Sequence, residues 1–109
     1  MEKYLKGEVV VIPFPFSDLS GSKRRPAVVI ADLEGDDILL CQITSQTARD
    51  RHAIPLRLND FATGSLPIDS YIRPARIFTA DKNIIVRKAG RINAMLSARL
   101  TRQIIEIIS

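Results

Sequence analysis

The chain has 109 residues, 46% of them apolar and 26% charged, with a formal net charge of +4 at neutral pH. That length predicts one domain spanning residues 1–109, and the composition excludes disordered and fibrous classes. The absence of any run of about 18 apolar residues argues against a membrane span, and the N-terminus has no signal-like pattern. The single cysteine, Cys41, allows no internal disulfide and suits a reducing, cytoplasmic setting.

Val9 to Phe14 is a β-branched and aromatic run that reads as a strand, limited by Pro13 and Pro15. Ser17 to Lys23 is turn chemistry, and Pro26 to Ala31 is a second, wholly apolar strand. Glu34-Gly35-Asp36-Asp37 predicts a hairpin turn with Gly35 at positive φ, leading into a third strand over Ile38 to Thr44. Ala53 to Leu58 alternates like a half-exposed strand, and Pro55 places it at a sheet edge. Asn59 to Leu66 is expected to be a loop around Gly64. Asp69 to Phe78 holds a further strand, broken at Pro74; Asp81-Lys82-Asn83 is a turn, and Ile84 to Arg87 a short strand. Only the C-terminus reads as helix: Asn93 is a candidate N-cap, and Leu96, Leu100, Ile104, Ile107 and Ile108 recur at helical spacing.

Short strands with frequent turns, followed by one helix, predict a mainly β fold: a small, closed or partly closed barrel of five to seven short strands with a C-terminal helix. Positive charge is concentrated where connections fall. Lys23, Arg24 and Arg25 form one cluster, Arg49 and Arg51 a second, and Arg73 and Arg76 follow Tyr71. Such clusters favour phosphate backbones or an acidic partner. Asp36 and Asp37 have no matching ligand cluster, so no metal or other cofactor is expected. Cys41 sits within an apolar strand and reads as a buried, inert thiol.

The opening stretch, Lys6-Gly7-Glu8 through the strand to the Pro13–Phe16 corner, Gly21-Ser22-Lys23, Arg24-Arg25-Pro26 and a second apolar run, resembles the start of the MazF/PemK-like toxins of type II toxin–antitoxin pairs. Ile43-Thr44-Ser45, Ser70-Tyr71-Ile72-Arg73-Pro74 and Phe78-Thr79-Ala80-Asp81-Lys82 extend the resemblance along most of the chain. It implies an SH3-like barrel and an endoribonuclease that cleaves single-stranded mRNA sequence-selectively and without metal, through attack by the 2′-hydroxyl. Its catalytic residues would be Arg25, the arginine of the Arg-Pro pair, and Thr44. A guanidinium suits a phosphorane, because it offers paired planar donors and stays charged.

Around that pair, Lys23, Arg24, Arg49, Arg51 and Arg73 would bind phosphates, with Ser20 and Ser22 in the loop bordering the groove. Ser45 and Gln46 would bind phosphate or base edges. Tyr71 and Phe16 would stack on splayed bases. His52, the only histidine, would lie near RNA on the Arg49–His52 loop. Each position also has an ordinary structural explanation: a solvated charge, a turn-capping threonine, an exposed loop histidine or a core aromatic. The resemblance further implies a homodimer and a cognate antitoxin. The same barrel also admits a non-catalytic reading, a module that only holds RNA or poisons a gyrase-like partner.

Overall fold

The computed structural model describes residues 3–14, 23–46 and 50–109. Ser20, Ser22, Arg49 and Phe16, all assigned above to RNA, lie outside those residues. The strands are β1 (Glu8–Phe14), β2 (Lys23–Asp32), β3 (Asp37–Thr44), β4 (Ile54–Leu56), β5 (Phe61–Gly64), β6 (Ser70–Asp81) and β7 (Arg87–Ile92), followed by helix α1 (Ala94–Ile108). They form one antiparallel seven-stranded sheet in the order β4-β6-β3-β2-β1-β7-β5. β4 and β5 do not pair with each other, so the sheet is a curled half-barrel, the partly closed form of the expected architecture.

The curl has a local cause. Register shifts interrupt the β1–β7, β2–β3, β3–β6 and β5–β7 ladders, and each irregularity bends its strand and adds twist. Alternation then sorts the apolar residues onto two faces. Val9, Val28, Cys41, Ile43, Ile54, Leu56, Ile72 and Ile92 pack beneath Leu96 and Leu100 of α1. Val10, Ile12, Ala27, Val29, Ile38 and Leu40 face the other way and are covered by Tyr4, Phe78 and Ile85. The central strands are therefore buried on both sides.

Several expectations hold in detail. Glu34 (φ 67°) and Gly35 (φ 58°) both turn left-handed between β2 and β3. Asn93 caps α1, its side-chain oxygen accepting from the Leu96 N–H at 2.8 Å. The edge expected at Pro55 is β4. Cys41 is fully buried, its thiol donating to the Arg73 carbonyl at 2.9 Å and pushed by burial up to about 12.

Three expectations are corrected. The Asn59–Leu66 loop contains a 3-10 turn, Leu58–Asp60, and strand β5, which pairs with β7. The strand expected to break at Pro74 runs unbroken from Ser70 to Asp81, because its partner ladder jumps from Ile43↔Ile72 to Cys41↔Ile77 and leaves Pro74 inside the irregularity, where no ladder hydrogen bond is required of it. The strand expected over Ile84–Arg87 begins instead at Arg87, after a 3-10 turn at Lys82–Ile84 capped by the Asp81 carboxylate.

Candidate RNA-binding and catalytic site

The ladder between β2 and β3 pairs Val28 with Cys41 and Ala27 with Gln42. Continuing that register sets Arg25 opposite Thr44 and Arg24 opposite Ser45. Arg25 also pairs with Ile12 of β1, and Thr44 pairs with Tyr71 of β6, which pairs in turn with Pro55 of β4. Residues opposed across neighbouring strands share a face. Ile12, Arg25, Thr44, Tyr71 and Pro55 thus form one row across the sheet, with the two proposed catalytic residues adjacent at its centre.

Thr44 Oγ1 accepts from the Gln46 backbone N–H at 3.2 Å. That bond orients the hydroxyl and leaves its own hydrogen as a donor. Arg25 is half-buried at the strand end, whereas Lys23, Arg24, Ser45 and Gln46 are exposed around it.

Beside the row, where β2 begins and β3 ends, lies a groove of about 390 Å³. Arg24, Arg25 and Arg87 line it with Ser45, over an apolar floor that includes Val11 and Ile43. Among the described residues no carboxylate lines it, so every charged side chain on its wall is cationic. Arg87 was not singled out from sequence as a site residue: it stands alone at the end of the Ile84–Arg87 run, and only its pairing with Val11 of β1, which pairs in turn with Pro26 of β2, brings it to the groove.

The remaining assigned residues divide into free and engaged groups. Arg51 is exposed. Arg73 is ion-paired with Asp50, Nε to Oδ2 at 3.2 Å, with the side chains 24% and 10% exposed. Asp50 also accepts from the His52 N–H at 2.9 Å. Burial opposes the charge of Asp50, but the His52 N–H and the Arg73 guanidinium outweigh it and hold the carboxyl below its ordinary 3.8. His52 Nδ1 accepts from Gln103 Nε2 at 3.0 Å, tying the loop to α1. Tyr71 lies under Arg57, whose guanidinium carbon is 5.0 Å from the ring centre and whose Nη2 donates to the hydroxyl at 3.4 Å. Arg57 is a second cation that sequence reading passed over, since nothing local marks it.

Residues 5–108 match the family described as PemK-like, MazF-like toxins of type II toxin–antitoxin systems. The chain belongs to that family. No curated protein matches this toxin by sequence. Its fold is shared with an endoribonuclease in complex with its cognate antitoxin from a mycobacterial species, at TM-score 0.75 and 14% identity over 97% of this chain and 95% of that one. The MazE–MazF complex from Deinococcus radiodurans superposes at TM-score 0.74 and 16% identity, covering 94% of each chain. The Mycobacterium tuberculosis toxin MazF-mt6 follows at TM-score 0.69 and 15% identity, over 93% of this toxin and 95% of its own chain. At such identities the likeness is one of fold, and the chemistry has to be argued from this toxin's own residues.

Proposed function

We propose that this toxin is a sequence-selective endoribonuclease that cuts single-stranded mRNA in the cytoplasm without a metal ion. The observation that carries the reading is Arg25, which lines a groove with two further arginines and no carboxylate among the described residues, and whose strand register, continued, sets it opposite Thr44. RNA would lie along the arginines, its phosphates held by Arg24 and Arg87 and by the neighbouring Lys23. The 2′-hydroxyl loses its proton to solvent as its oxygen attacks the adjacent phosphorus, the bond to the 5′-oxygen breaks, and that oxygen takes up a proton from solvent. The products are a 2′,3′-cyclic phosphate and a 5′-hydroxyl.

Arg25 acts electrostatically, because a guanidinium remains charged at neutral pH and so serves as a donor rather than a base. It stabilises the extra negative charge of the phosphorane, while Thr44 donates to a non-bridging oxygen. The family and the antitoxin complexes of the structural neighbours support a cognate antitoxin here. An acidic segment that folds on binding would suit the arginine groove, and the assembled toxin is expected to be a homodimer.

The test is a digest of single-stranded RNA in EDTA by the wild type and by Arg25→Ala, with analysis of the ends. Fragments carrying cyclic phosphate from the wild type alone are expected. RNA that the wild type binds but leaves intact would mark a binding module instead.

A further inference from the structure

The Leu66-Pro67-Ile68 segment forms one wall of the arginine groove and, on its other side, one wall of a second hollow of about 320 Å³. Leu56 and Phe61 supply apolar sides to that hollow. Leu58 and Ile68 stand at its mouth, 70% and 62% exposed. Large apolar side chains left in water beside a polyanion groove offer surfaces on which a flat ring can lie.

The polar side chains of the hollow are Ser65, Asp69 and Arg57, the last two charged. Arg57 is pinned: Nη1 donates to the Ser70 carbonyl at 2.8 Å and Nη2 to the Tyr71 hydroxyl at 3.4 Å. Its Nε lies 3.5 Å from Asp69 Oδ2, and the Asp69 side chain is 74% exposed. The carboxylate is therefore held at one oxygen, with accepting capacity to spare, next to a fixed positive charge.

We propose that this hollow receives one nucleobase of the substrate strand, flanking the cut phosphate, and that Asp69 selects guanine there. The inference rests on the RNA-cutting reading above. A carboxylate can only accept hydrogen bonds. Guanine presents two adjacent donors, N1–H and N2–H₂, which match its two oxygens. Uracil offers one N–H between two carbonyls. Adenine and cytosine place a ring-nitrogen acceptor beside their amino group, and the carboxylate repels it. Arg57, beside Asp69, supplies positive charge for guanine O6. Only the Leu66–Ile68 segment stands between the hollow and the groove, so a strand lying in the groove has a base within reach of the hollow.

The test is direct binding by fluorescence anisotropy. The probes are short 2′-fluoro RNAs, which lack the attacking hydroxyl, carrying either guanine or hypoxanthine, which lacks the N2 amine, at successive positions. The wild type is expected to prefer guanine at one position by about tenfold, the scale of a bidentate base contact. Asp69→Ala and Asp69→Asn should bring that ratio close to one while melting at the wild-type temperature. No preference at any position, or an unchanged ratio in the Asp69 variants, overturns the proposal. Because the readout is binding, RNA left uncut by the wild type defeats the nuclease reading alone. Cutting without a guanine–hypoxanthine difference defeats the base pocket alone.

Discussion

In the proposed reaction Arg25 is the residue on which the chemistry turns. Replacing it with alanine should slow RNA cleavage by roughly 100-fold or more, the scale of losing one preorganised donor at a charged transition state. The fold should survive, because Arg25 is half-buried at a strand end rather than in either core. Thr44→Ala should cost less, since a neutral donor is weaker than a charged one. Initial rates on one RNA substrate check both, and cleavage by folded Arg25→Ala at the wild-type rate would sink the assignment. The Asp50–Arg73 pair makes a different prediction. A carboxyl held below its ordinary 3.8 contributes stability that is present above that value and is lost as pH falls through the folded one. The stability gap between wild type and Asp50→Asn in urea unfolding should therefore be widest near neutrality and shrink below about pH 3.8. A gap that stays constant down to pH 2.5 would mean that the pair contributes nothing through charge. The part of the site read from sequence was the part carried by contiguous motifs: Arg25 in its Arg-Pro pair and Thr44 in Ile-Thr-Ser. Arg87 and Arg57 have no motif, and the partner that engages Arg73 lies 23 residues away. Their roles depend on cross-strand register, which no local pattern encodes.

At the scale of the element, the strands that could be read in advance are those buried on both faces. β1, β2 and β3 each hold a continuous apolar run, and the turn at Gly35 between β2 and β3 was marked as well. β5 and β7 escaped for one reason. Both are short, β5 mostly and β7 half exposed, and β5 becomes a strand by pairing with β7, and β7 by pairing with β5 and β1, rather than by propensity. What permits that pairing is a glycine contact. Gly64 has φ 69°, and a Cβ there would lie 2.2 Å from the Ala89 carbonyl oxygen and 2.6 Å from Gly90 Cα. Gly64→Ala should therefore destabilise the toxin by about 2 kcal/mol or more, through backbone strain and loss of close approach together. Chemical denaturation measures it, and a change below about 0.5 kcal/mol, the level of an ordinary surface substitution, would contradict this account. Pro74 misled in the opposite direction. Proline is an unreliable strand breaker wherever the neighbouring ladder already carries an irregularity.

For the whole molecule, affinity for RNA should fall with salt. Neutralising three phosphates by the groove arginines predicts a log–log slope of about −2 for a single strand. Arg24→Glu should make it shallower, and an unchanged slope would place the RNA path elsewhere. An acidic antitoxin segment should compete with RNA for the same groove, and simultaneous binding of both without mutual loss of affinity would exclude a shared site. The contact between Gln103 and His52 carries this further, because it joins parts of the chain 51 residues apart. A helix end and a loop linked in this way belong to one cooperative opening unit. Amide hydrogens of the last turns of α1 and of residues 50–53 should then exchange on a common timescale, and Gln103→Ala should free the loop while leaving Leu96 and Leu100 protected. Whatever grips α1 from outside would then slow the breathing of the Asp50–Ala53 loop without touching the arginine groove at all.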